Sequence, residues 1–87
     1  VANRYLVMYY LEDRLPVRLG VVASKRLGKA VSRNRVKRLI KESFRHHVDG
    51  LELTGEIVII ARPRAASCSY DEISRAVEEL LKRMELI

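Results

Sequence analysis

The sequence has little of several things, and each shortage removes a class of function. Its 87 residues contain one cysteine, Cys68. A single thiol forms no disulfide within the chain and gives no cysteine-based zinc site. That agrees with a reducing compartment. Nucleophilic chemistry at Cys68 needs a base beside it. His46 and His47 stand at no recognisable spacing from Cys68, so it reads as a small semi-buried thiol. Adjacent histidines also do not share a helix face, as paired metal ligands must. No apolar run approaches the roughly 18 residues of a membrane span, and no signal segment opens the chain. Glycine is scarce and shows no phosphate-loop or dinucleotide fingerprint. Internal repeats and low-complexity segments are lacking. The first residue is Val1 rather than Met, from which we expect a leading segment to be missing.

What remains is one small globular domain spanning 1–87, with 48% hydrophobic and 32% charged residues. A chain this short buries roughly 60–65% of its unfolded surface, so its core is thin. The most informative shortage is local. From Lys25 to Arg45 there are nine basic residues and one acid, Glu42, a net +8; the rest of the chain nets −2. A solvated helix face interleaves acids with bases for i,i+4 pairs. This segment does not, and such a concentration is the footprint of a polyanion partner.

Arg4–Leu11 is rich in aromatic and β-branched residues and reads as a strand. Alternation puts Tyr5, Val7 and Tyr9 on one face and Leu6, Met8 and Tyr10 on the other. Glu12, Asp13, Arg14 and Pro16 read as a turn, and Val17–Ser24 as a second strand. The short connection predicts an antiparallel hairpin. Val36, Leu39, Ile40, Phe44 and Val48 form one stripe of a helix over about Val31–His47, with Gly50 as its stop. Glu56–Ala61 is a nearly continuous apolar run, as in a central strand or one covered on both faces. Ser69 and Glu72 form a capping box opening a last helix, with the stripe Ile73, Val77, Leu80, Leu81 and Met84. The order strand, strand, helix, strand, helix predicts an α+β two-layer sandwich, a small mixed sheet with both helices on one face. Val17–Ala61 should place its two strands parallel, and the general rule makes such a crossover right-handed.

Arg33, Arg35, Lys37 and Arg38 sit near the start of the basic helix, where cations oppose the helix dipole at roughly 0.3–1 kcal/mol each. A phosphate partner reverses the sign of that term, because a helix N-terminus favours phosphate and arginines add forked donors. Lys37, Lys41 and Arg45 continue the cations along an outward row. Asn34, between two arginines, reads equally as a polar contact to nucleic acid or as a local capping group. Tyr5 and Tyr9 can stack bases if their face is open; composition alone favours half-buried sheet residues. A protein nuclease with its own metal needs converging carboxylates, and the basic segment offers only Glu42. Charge alone does not separate RNA from duplex DNA.

The stretch Lys29-Ala30-Val31-Ser32-Arg33-Asn34-Arg35-Val36-Lys37-Arg38 resembles the signature of the protein subunit of bacterial ribonuclease P. Leu19–Arg26 and Ile57–Arg62 resemble that family in the same order, so the similarity spans nearly the whole chain. The resemblance implies an RNA-binding subunit of a cytoplasmic ribonucleoprotein endonuclease of tRNA processing. It removes the 5′ leader of precursor tRNA. The RNA subunit holds the catalytic magnesium ions, and the protein carries no catalytic residue or metal of its own. It implies contact with ribonuclease P RNA through Lys25, Arg26, Lys29, Arg33, Asn34, Arg35, Lys37, Arg38, Lys41 and Arg45. It also implies a leader cleft with Val7, Tyr9, Asn34 and Lys37. The family fold, like domain 2 of ribosomal protein S5, has a left-handed crossover, and that replaces the right-handed expectation. The family carries a further N-terminal helical segment that this sequence does not show. Uncovered apolar sheet and self-association are therefore expected, with no membrane partner. The alternative is a non-catalytic RNA-binding module such as a ribosomal protein.

Overall fold

A computed structural model describes all 87 residues, Val1–Ile87. The elements are β1 (Leu6–Pro16), β2 (Arg18–Ala23), α1 (Ala30–Val48), β3 (Thr54–Ala61) and α2 (Tyr70–Arg83). Short 3-10 turns at Lys25–Leu27 and Pro63–Ser67 lead into the two helices. This is the expected α+β two-layer arrangement, in the expected element order.

The pairing of the strands corrects the sequence reading. The sheet order is β1-β3-β2. β1 pairs antiparallel with β3, and β2 pairs parallel with β3. So β1 and β2 are the two edges and form no hairpin with each other. The physical reason lies in β3, the most continuously apolar strand. Ile57 and Ile59 are fully buried under the helices, and Val58 and Ile60 are half-buried on the other side. Only a central position covers both flanks of that strand. The turn expected at Glu12–Arg14 is also absent, because β1 runs on to Pro16. Residues 12–15 leave the register with β3, and pairing resumes at Pro16, opposite Thr54, where the strand stops. The chain then reverses at Val17, whose amide donates to the Leu53 carbonyl.

The core lies between the sheet and both helices. Leu6, Met8, Ile57, Ile59 and Ala61 meet Val36, Leu39, Ile40 and Phe44 of α1 and Ile73, Val77, Leu80 and Leu81 of α2. α2 begins with the predicted capping box: Ser69 Oγ accepts from the Glu72 amide, and the Glu72 carboxylate accepts from the Ser69 amide. α1 ends at Val48, and Gly50 just beyond it has a φ of +78°, which suits a residue without Cβ. Gly55 has φ +104°, and a Cβ there would stand 2.7 Å from the Tyr10 ring and 2.8 Å from the Leu11 carbonyl oxygen. Glycine is required where Tyr10 folds over β3 to donate its hydroxyl to Thr54.

The first residues are tied down. The Val1 ammonium donates to Met8 and the Met8 amide donates back. Asn3 Oδ1 accepts from the amides of Tyr5 and Leu6, while its Nδ2 donates to the Ala76 carbonyl of α2. No helix is long and apolar enough to cross a membrane.

Candidate nucleic-acid interface

The register levels the ends of the three strands. Leu6, Ala61 and Ala23 lie side by side at one end of the sheet, and Leu11, Glu56 and Arg18 at the other. The chain leaves the first end through Ser24, whose hydroxyl accepts from the Arg26 amide, and Leu27, which is buried as an anchor. Gly28, with φ +108°, then turns the chain into α1. Lys25, Arg26 and Lys29 are held exposed on this turn.

α1 starts without the features that stabilise α2. Its N-cap, Lys29, makes no side-chain capping bond, and its first turn holds no acid. Its amides are left for water or an anion. The buried side is Val36, Leu39, Ile40, Ser43 and Phe44. The opposite side carries Asn34, Lys37, Arg38, Lys41, Glu42 and Arg45 around one groove of about 320 Å³. Asn34 makes no side-chain hydrogen bond within the protein, so it is no local cap. Arg38 meets Glu42 at 3.9 Å, one turn along, and Lys37, Lys41 and Arg45 have no acidic partner.

The two flanks of α1 differ. Arg35 is turned toward the segment before α2, where its Nη2 donates to the Cys68 carbonyl at 3.0 Å. Arg33 is half-buried, and its Nε is enclosed without a partner. On the other flank Lys41, Phe44, Arg45 and Val48 border a groove of about 430 Å³ with Val17 and Leu19 at the β2 edge.

The far face of the sheet is open and apolar. Val7, Ile60 and Val22 form one row across it, and Tyr9, Val58 and Gly20 the next. Tyr9 is 58% exposed, Leu11 66% and Val22 48%. A Cβ at Gly20 would only touch Val58, at 3.8 Å, so the row is shallow there. Tyr9 thus has a free ring, whereas Tyr5 is half-buried in a recess with Ala76 of α2. Val7 and Tyr9 do not share a pocket with Asn34 and Lys37. They lie on β1, about 10 Å across two strand spacings from β2, the strand beside α1. Asn34, Lys37, Arg38, Lys41 and Arg45 thus share the outward groove of α1, Arg35 is turned to Cys68 on its other flank, and Val7 and Tyr9 lie on the separate open face of the sheet.

Other chemistry-bearing groups are committed elsewhere. His47 Nε2 lies 2.9 Å from Ser74 Oγ and 3.1 Å from the Ser74 carbonyl, with Glu78 3.8 Å from Nδ1. A serine, a histidine and a carboxylate thus meet, but Ser74 sits mid-helix where the amides are already bonded, leaving no donors for an oxyanion. The contact clasps α1 to α2, a role the sequence did not reveal. Cys68 is buried; burial pushes its thiol up, away from the reactive thiolate. No group of three or more His, Cys, Asp or Glu side chains is placed to hold a metal ion.

The model of the family described as Ribonuclease P matches residues 1–85. The chain belongs to the ribonuclease P protein family. It is 44% identical over 87 residues to the ribonuclease P protein component of Caldanaerobacter subterraneus subsp. tengcongensis, covering 99% of this chain and 75% of that protein. To the component from Clostridium botulinum it is 46% identical over 84 residues, covering 94% and 76%. Among solved structures it superposes on the Staphylococcus aureus ribonuclease P protein with a TM-score of 0.86 at 38% identity, covering 97% of this chain and 78% of that one. The Thermotoga maritima protein, solved with 1-(4-fluorophenyl)-2-thiourea, gives 0.84 at 30% identity, covering 95% and 82%. The ribonuclease P resemblance of the Lys29–Arg38 stretch is thereby shown over the whole fold. The family is the protein part of a ribonucleoprotein endoribonuclease of tRNA processing, and its partner is RNA.

Proposed function

We propose that the outward side of α1 binds the RNA subunit of ribonuclease P, and that the open sheet face takes the single-stranded 5′ leader of precursor tRNA. In this reading the RNA holds the magnesium ions that do the chemistry, and the protein binds and orients. The observation that carries it is the groove of Asn34, Lys37, Arg38, Lys41 and Arg45 on a helix whose first turn lacks acids. Lys37, Lys41 and Arg45 have no acidic partner within the protein, and a phosphate backbone supplies the opposite charge. Rows of apolar side chains with the free Tyr9 ring suit unstacked bases, which stack on an aromatic without regard to sequence.

The test is binding to ribonuclease P RNA across a salt series, with ribosomal RNA and duplex DNA as competitors. Engagement of five to eight phosphates gives a log–log slope of about −4 to −7. Tight binding should survive both competitors and fall in an Arg38→Ala, Lys41→Ala double variant. Precursor cleavage by the RNA at low magnesium should then rise on adding the chain. Equal affinity for all three polyanions would leave only a general RNA-binding module.

A further inference from the structure

The two edges of the sheet differ in how they are covered. Outside β1 the first residues fold back along the strand. The Val1 ammonium donates to the Met8 carbonyl at 2.9 Å, the Met8 amide donates to the Val1 carbonyl at 2.8 Å, and Ala2 faces Val7 in an antiparallel bridge. Farther along, β1 carries Glu12, Asp13 and Arg14, loses its register after Leu11 and stops at Pro16. Covering chain, charge, irregularity and proline are the means by which edge strands avoid pairing with other chains. β2 has almost none of them. Its six residues, Arg18–Ala23, keep one unbroken parallel register with β3. They include no proline and one charge, at the first position. No hydrogen bond reaches the backbone of Arg18–Ala23 from outside that ladder. Every second residue of a parallel strand turns its amide and carbonyl away from its one neighbour, so the free edge of β2 presents a row of backbone donors and acceptors.

The groove of about 430 Å³ runs beside this edge, between β2 and the second half of α1. Val17 and Leu19, two apart, border it from the strand side, and Phe44 and Val48, one turn apart, from the helix. Lys41 and Arg45, also one turn apart, border the same groove, exposed and without an acidic partner. Arg18, the one charge of β2, is already neutralised by Asp13 and Glu56. A backbone edge, an apolar floor and two uncommitted cations therefore lie together. They call for main-chain hydrogen bonds, an apolar side chain and a carboxylate. A second copy of this chain meets that demand poorly. Two β2 edges joined about a two-fold axis would set Lys41 and Arg45 of one copy against the same residues of the other, in a chain of net charge +6.

We propose that the β2 edge docks an extended acidic peptide of a partner protein, which adds to the sheet beside β2, seats an apolar side chain against Leu19 and Phe44, and pairs its carboxylates with Lys41 and Arg45. In strand addition the main-chain bonds supply affinity and alternate side chains supply selectivity. A nucleic-acid strand would satisfy the cations but offers the edge no regular backbone ladder and the floor no aliphatic side chain. The proposal concerns a protein partner and does not rest on the RNA reading of α1.

The test uses the full chain and a fluorescent octapeptide of the repeat serine-leucine-serine-glutamate, whose leucines and glutamates share one face when extended. A second peptide carries lysine for glutamate. Two more are N-methylated, one at the serine amides and one at the leucine and glutamate amides. An added strand bonds to β2 through one set of amides only. One methylated peptide should therefore lose affinity about tenfold or more, while the other keeps it. A Lys41→Glu, Arg45→Glu variant, whose exposed sites hold no ion pair, should stay folded, lose the octapeptide about tenfold or more and take the lysine peptide instead. The methylated pair is read on the wild type, so the test stands even if that variant fails to fold. If both methylated peptides bind like the parent, no strand is added and the proposal is refuted. Equal binding of the glutamate and lysine peptides, or no binding of the octapeptide at about 1 mM, refutes it too. If the free chain sediments as a dimer that the octapeptide splits, the occupant is a second copy. If a uridine decamer, and not the octapeptide, shifts the Leu19 and Val48 methyl resonances, the occupant is RNA. Either result overturns the peptide assignment.

Discussion

Removing Lys41 and Arg45 gives the most direct measure of how the helix meets RNA. Both line the outward groove of α1, both are exposed, and neither has an ion-pair partner within the protein. The fold therefore loses no ion pair when they become alanine, and alanine favours the helix. Each should release its counterions on binding. Loss of two phosphate contacts makes the log–log salt slope shallower by about 1.4–1.8, at about 0.7–0.9 per contact. Over a fourfold rise from about 50 to 200 mM salt, the wild-type advantage should fall about ninefold. A filter-binding or anisotropy series with ribonuclease P RNA reads this directly. Glu42→Gln is the complementary variant. It frees Arg38 from its carboxylate at 3.9 Å and should strengthen binding and steepen the slope. A wild-type advantage that stays constant across salt would mean that Lys41 and Arg45 act through shape rather than phosphate contact, and the electrostatic argument would be refuted.

Asn3→Ala removes three hydrogen bonds that join the first turn to β1 and α2, and should cost about 2 kcal/mol; a fall in Tm of about 8–16 °C in thermal melts checks this. Ser69→Ala removes the cap of α2 and should cost about 1 kcal/mol in a urea melt at neutral pH. The Ser69 hydrogen bonds also hold the Glu72 carboxyl below its usual range, so their stabilisation is present above the usual glutamate range and lost as pH falls through Glu72's own lower value. Melts on the acid side should show that loss in the wild type, and less of it in Ser69→Ala. Without RNA, the exposed Tyr9, Leu11 and Val22 of the open sheet face should drive self-association at high concentration; sedimentation of Leu11→Glu should return a monomer.

How legible the molecule was depended on the range of each interaction. The capping box of α2 and the apolar stripes of both helices are local patterns; the structure buries Val36, Leu39, Ile40, Phe44, Ile73, Val77, Leu80 and Leu81 as expected, leaves Val48 and Met84 half-buried, and adds Ser43 and Ala76 to the buried sides. The strand faces were equally local, so Leu6, Met8 and Tyr10 separate from Val7 and Tyr9 as alternation required. Strand pairing is not local. A short link between two strands suggests a hairpin, and only the competition for β3 shows otherwise. The open face suffered the same way, since Val22, Val58 and Ile60 join Val7 and Tyr9 only through the register. In the basic segment, charge density marked the whole stretch, but only packing separates Asn34 and Arg38, facing outward, from Arg35, bonded to Cys68.

The central place of β3 has a consequence for how the chain is made. β1 and β2 bond only to a strand that is translated after both of them and after all of α1. Until Ala61 has left the ribosome, no sheet can form, and the apolar sides of β1 and α1 have nothing to close upon. The delay is short at roughly 5–20 residues per second. Throughout it a cationic helix emerges beside ribosomal RNA before its own fold can hold it. The basic segment is thus complete and near a polyanion while the sheet it packs against still lacks its central strand.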